Sequence, residues 1–136
     1  MIRCVHLWTD SSDNSRHEEG FLEFGSGPHG DAATGKLAVK NASFEETASG
    51  GSLDWHTAPA RQFVVTLSGT LEFLTRGGER FILRPGEILF AEDTAGGGHS
   101  WKLIDDQPWR RLYVVLNPDT KVPFKATAAA AASSAP

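Results

Sequence analysis

The chain has 136 residues, 40% of them hydrophobic and 22% charged, which fits one soluble folded unit and excludes wholesale disorder. A formal charge of −4 without any basic stripe excludes a nucleic-acid binder. The single cysteine, Cys4, excludes an internal disulfide and a multi-cysteine metal site. No apolar run reaches the length of a membrane span. The first twenty residues carry Asp10, Asp13, Arg16, His17, Glu18 and Glu19 where a signal peptide would need an apolar core, so a cytoplasmic protein with no membrane partner is expected.

In chain order, Ile2–Thr9 alternates as a first strand and Asp10–Asn14 is a polar turn. His17, Glu18 and Glu19 read as a solvated charged loop. The stretch Gly25–Gly35 is loop by composition, with Gly25, Gly27, Pro28, Gly30 and Gly35. Lys36–Glu46 reads as a strand that ends near Gly50–Gly51. Arg61–Leu67 is β-rich, and Ser68–Gly69 turns into the alternating Thr70–Thr75. Gly77–Gly78 makes a hairpin turn into Arg80–Leu83. Pro85–Gly86, the strand Glu87–Ala91 and the glycine-rich loop Thr94–Gly98 follow. A strand through His99–Ile104 and a last one over Arg110–Leu116 complete the pattern. No segment sustains a period of 3.6, so the fold is all-β, a barrel or sandwich of short strands. The chain divides into N-terminal strands and loop packing on the barrel (1–49), a barrel core (50–118) and an Ala-rich C-terminal extension (119–136). This extension, and above all its tail from Ala126 on, is expected to be disordered.

Polar residues gather at two places. On an extended strand His56, Ala58, Ala60, Gln62, Val64 and Thr66 share one face, and His99 shares a face with Trp101. A His and a Gln beside small alanines suit a cavity wall. Trp101 is the better stacking candidate there, whereas Trp55 reads as packing. Arg61 faces away from that wall. His6, His17 and His29 have no ligand spacing. Asp54, Glu92 and Asp93 are the carboxylates nearest the two histidines in sequence. Gly96–Gly98 ahead of His99 is either a floppy turn or backbone freedom that serves an unusual approach to the ligand. Phe63–Leu67, Ile88–Ala91 and Leu112–Leu116 are apolar on both faces, so something must cover the outer one, either the N-terminal segment or a second subunit.

The stretch Gly50–Gly69 resembles the first cupin motif, which runs Gly, five residues, His-x-His, three or four residues, Glu, six residues, Gly. Gly50, His56, Gln62 and Gly69 keep that spacing, with Ala58 at the second His and Gln62 at the Glu. Gly78, Pro85, Gly86 and His99 resemble the second motif, with the insert Ala91–Gly98 lengthening the approach to His99. The chain is thereby similar to small proteins of the RmlC-like cupin superfamily, of the cupin 2 conserved-barrel type, over about residues 50–116. The resemblance implies a double-stranded β-helix (jelly-roll) barrel, a homodimer, and one divalent ion (Zn, Fe, Mn or Ni) at His56, Gln62 and His99. Family members hold that ion with three His and one Glu. Without the second His and the Glu, the set here is two imidazoles and an amide, which lowers the expected affinity. The leading expectation is a pocket for a small organic or carboxylated molecule, lined by His56, Gln62, His99 and Trp101. His56 or His99 would serve as acid/base of an isomerase, epimerase or cyclase. A metal-dependent dioxygenase and a non-catalytic binding or sensing module are the alternatives.

Overall fold

Alternating and β-branched segments separated by glycine turns have one way to satisfy their backbone, which is to pair into sheets. The computed structural model describes residues 1–127, and they form thirteen strands. The first five are β1 (Ile2–Thr9), β2 (Ser15–Leu22), β3 (Gly25–Ser26), β4 (Ala32–Ala33) and β5 (Val39–Thr47). Then come β6 (Ser52–His56), β7 (Gln62–Ser68), β8 (Leu71–Thr75) and β9 (Arg80–Leu83). The last four are β10 (Ile88–Glu92), β11 (His99–Leu103), β12 (Trp109–Leu116) and β13 (Phe124–Ala126). Among the described residues the only helical piece is the short 3₁₀ turn Pro28–Gly30, and no helix is long and apolar enough to cross a membrane.

Two sheets face each other. The larger runs β13-β2-β1-β10-β7-β12-β5 and the smaller β6-β11-β8-β9. Counted from β5 to β12, the eight inner strands divide between the sheets in the orders first–eighth–third–sixth and second–seventh–fourth–fifth. That is the jelly roll of a double-stranded β-helix. Every pairing is antiparallel except β1 with β10, where the N-terminal strand adds to the barrel wall in parallel register Cys4↔Ile88 through Trp8↔Glu92. Residues before the jelly roll are therefore part of its larger sheet. The loop Gly25–Gly35 contains the small β3/β4 hairpin.

The charged segment read as a loop is strand β2, paired along its whole length with β1. Its charges are compatible with a strand because each has a partner. Glu19 takes two hydrogen bonds from Arg3, and Glu79 takes one from Arg16. His6 lies with one ring nitrogen 3.0 Å from Glu18 and the other 2.7 Å from Glu92. Local composition favours loop there, and cross-strand pairing overrides it.

Between the sheets lies the core, with Val5, Leu7, Leu71, Phe73, Leu83 and Trp109 each at most 2% exposed. Burial of side chains this size contributes roughly 1.5–3 kcal/mol apiece. Phe73 and Phe81 stack with centroids 5.0 Å apart across the β8/β9 pair. The outer face of the larger sheet carries a second cluster, Cys4, Phe63, Ile88, Phe90 and Leu116. The chain itself covers it: Phe24 and Leu37 pack there from the N-terminal part, and Val122 and Phe124 from the C-terminal part. The extension thus contributes β13, which pairs with β2. The remainder of the Ala-rich tail, residues 128–136, lies outside the described residues.

Candidate functional site

The geometry of the site starts from one cross-strand pair. His56 ends β6 and His99 begins β11, and the register places them directly opposite each other. Both side chains turn into the barrel, with ring centroids 4.4 Å apart. Gly98 makes this approach possible. Its φ is +73°, and a Cβ there would overlap the His56 carbonyl. Gly96, at φ +77°, packs as tightly on the backbone of Asp13, whose carbonyl also accepts a hydrogen bond from Gly97. The glycine run is a close backbone approach and not a loose turn.

Each ring is fixed through Nδ1. His56 Nδ1 donates to the Asp54 carbonyl at 2.8 Å. His99 Nδ1 lies 2.6 Å from Asp93 Oδ2, which also accepts from Ser15 Oγ at 2.7 Å. Tying Nδ1 in this way leaves Nε2 of each ring for the cavity. Burial, reinforced by repulsion from His99, pulls the His56 imidazole below its ordinary 6.5, against the opposing pull of the Asp54 carbonyl.

The cavity in front of the rings measures about 480 Å³. That is within the usual range for a small-molecule site. Ala58, Gln62 and Trp101 line it beside the two histidines. Gln62 does not share a strand face with His56. Thr57–Arg61 is not extended strand, so His56 and Gln62 lie in different sheets and face each other across the interior. Neither imidazole hydrogen-bonds the Gln62 amide, since the bonds at Nδ1 go to Asp54 and Asp93. Trp101 meets Trp109 edge-on, centroids 4.5 Å apart. Trp55 lies outside, under the Arg76 guanidinium. Arg61 also points away, bonded to Glu92 and to the carbonyls of Asn117 and Thr120.

The nearby carboxylates take other roles than ligation. Asp93 is fully buried behind His99 as its orienting partner, and its Oδ1 has no partner among the described residues. Glu92 faces the outer surface with His6 and Arg61. Asp54 caps the Trp55 amide. A divalent ion would therefore meet two neutral imidazoles and at most one carboxamide. No group of three or more His, Cys, Asp or Glu among the described residues is arranged to hold one. These donors do not fit a tightly held ion.

Sequence reasoning misses the lining residues of β12, a buried cation among them. Arg111, only 5% exposed, reaches the cavity from β12 together with Trp109, Tyr113 and Val115. Its signal is parity: in Arg110–Leu116 one of the two adjacent arginines must face the interior. Because both faces of this strand are otherwise apolar, the pattern alone does not say which.

No protein-family model and no curated protein matches the chain. Solved structures similar to it include an uncharacterized conserved protein with a double-stranded beta-helix domain from Klebsiella pneumoniae. It is 21% identical over 62% of this chain and 74% of that one, with a TM-score of 0.46. Another is the Cupin_2 domain of an XRE family transcriptional regulator from Enterobacter cloacae, 17% identical over 87% of this chain and 99% of that one, with a TM-score of 0.34. At such low identity the assignment rests on strand order and register: the chain has the cupin fold, a small double-stranded β-helix.

Proposed function

We propose that the barrel cavity binds a small organic molecule and performs acid–base chemistry on it, of the kind an isomerase, epimerase or cyclase uses. The observation that carries this reading is the His56–His99 pair. Two rings 4.4 Å apart each have Nδ1 occupied and Nε2 left to the cavity. Asp93, itself held by Ser15, fixes the His99 ring through Nδ1 and so aims its other nitrogen for proton transfer. His56, held below the ordinary imidazole range, is neutral at pH 7 and suited to accept a proton. Two such groups on one substrate carbon or oxygen allow removal at one position and return at another. Gln62 and Trp101 then orient the substrate by hydrogen bonding and stacking.

The test incubates purified protein with a small-metabolite extract in D₂O and follows deuterium incorporation by mass spectrometry. Enzymatic proton transfer labels at least one metabolite, and His99→Ala loses the label while retaining a wild-type unfolding transition. A metabolite that co-purifies and stays unlabelled would instead favour a non-catalytic binding module. Labelling that persists in both His56→Ala and His99→Ala would end the acid–base reading.

A further inference from the structure

Arg111 is a buried cation whose hydrogen bonds are nearly all satisfied by protein. Nε donates to the Tyr113 hydroxyl at 3.1 Å. Nη1 donates to Thr47 Oγ1 at 2.7 Å and to the Trp109 carbonyl at 3.2 Å. Nη2 donates to Glu45 Oε2 at 3.0 Å. The guanidinium plane rests over the Trp109 ring, 3.9 Å from its centroid. A guanidinium has five N–H groups. These bonds use four, and the fifth is on Nη2.

Its charge is less well provided for. The one carboxylate paired with it belongs to Glu45, on the edge strand β5, whose side chain is 57% exposed against 6% for Arg111. A buried cation gains most from a desolvated, bidentate anion, and a solvated carboxylate is a weak and exchangeable partner. Glu45 and Arg111 both line the cavity. Tyr113 and Thr47 hold the guanidinium at a fixed angle, which is the preorganisation that carboxylate recognition requires.

We infer that Arg111 anchors a carboxylate-bearing ligand with an apolar or aromatic body, which replaces Glu45 on Nη2. The inference rests on the reading of this cavity as a ligand site and specifies its substrate class. Val64, Leu89, Trp101 and Trp109 supply apolar surface for the body, in the same cavity as the paired imidazoles. Were Arg111 only a tie between β12 and the edge strand, Glu45 would be part of that tie. As an anchor, Arg111 has Glu45 as a competitor. The two roles give opposite signs for the loss of the Glu45 charge.

Calorimetric titration of the full chain with 3-phenylpropanoate and its neutral isostere 3-phenylpropanamide separates them. The acid should bind roughly tenfold or more tightly than the amide, the usual advantage of a charge-assisted bond. Glu45→Gln should tighten the acid severalfold and leave the amide unchanged, whereas Arg111→Met should erase the preference. Glu45 is exposed, so its variant remains informative if Arg111→Met does not fold. Equal binding of acid and amide, or a Glu45→Gln variant that binds the acid no better, overturns the anchor and leaves the ligand site standing. Binding of neither probe, with no change in the His99 ring resonances, overturns the ligand site as well.

Discussion

Gly98 offers the sharpest test of how the histidine pair is built. Two terms oppose Gly98→Ala. The left-handed backbone, φ +73°, costs an L-residue about 1–2 kcal/mol. The second term is steric, because the new Cβ meets the carbonyl of His56 and the amide of Thr57, which are backbone and cannot rotate away. Relief requires β6 and β11 to part at the His99↔His56 rung, and the neighbouring bond from the Ala58 amide to the Asp93 carbonyl lies on the same path. Loss of two or three such bonds at about 1 kcal/mol each brings the total to roughly 3–5 kcal/mol. Gly78→Ala is the matched control. Its φ of +86° carries the same conformational penalty, and nothing lies within 4 Å of its Cβ. Urea and thermal unfolding should give a Tm loss of roughly 3–8 °C for Gly78→Ala and 10–20 °C for Gly98→Ala, at about 3–5 °C per kcal/mol. Equal losses within 1 kcal/mol would refute the close approach as the reason for glycine at 98.

His56 should titrate below 6.5 in an NMR pH series. Because its folded-state value is depressed, it contributes stability in full above 6.5 and loses it as pH falls from 6.5 through the folded value. The stability advantage of wild type over His56→Asn should therefore be flat above 6.5 and shrink below it, and an advantage that grows on acidification contradicts the burial argument. Elemental analysis of protein purified without chelator should give far less than one Zn, Fe, Mn or Ni per chain. A stoichiometric metal lost on His56→Ala would show that two imidazoles and an amide suffice. The edge strand β5 leaves backbone groups unpaired and exposes Phe44 at 73% and Val39 at 44%. Light scattering should find a dimer that Phe44→Glu converts to monomer, and a monomeric wild type at high micromolar concentration would sink that expectation.

Strand positions were legible wherever residues alternate between one wet and one dry face. Ile2–Thr9 and Arg80–Leu83 match to the residue, because alternation and flanking turns agree there. β2 was illegible for the opposite reason. Its charges Arg16, His17, Glu18 and Glu19 are satisfied by partners distant in sequence, Arg3, His6 and Glu79 among them. His56 keeps the spacing of the first motif, whereas the insert Ala91–Gly98 departs from the second and left the register of His99 open until the β6/β11 pairing showed it opposite His56. Asp93 could not be assigned, because its role depends on the path of Gly96–Gly98, which turns the chain so that the carboxylate lies behind His99 and not in the cavity.

Substitutions at two motif positions have one electrostatic consequence. With Ala58 and Gln62 where the resemblance has His and Glu, the interior lacks one imidazole ligand and the negative charge, and the small alanine at 58 leaves open the room a second imidazole would take. The remaining formal charge facing that space from a buried side chain is positive and belongs to Arg111. A second cation beside it would be repelled as well as under-coordinated. An anion would meet a preorganised donor and an apolar wall. On the proposed reading, two neutral residues in one motif and one arginine on the strand beside Gln62 favour an anion over a cation in this cavity. Restoring Glu at 62 should weaken 3-phenylpropanoate binding even with Arg111 intact. An unchanged affinity would separate the two features and confine the anion preference to the neighbourhood of β12.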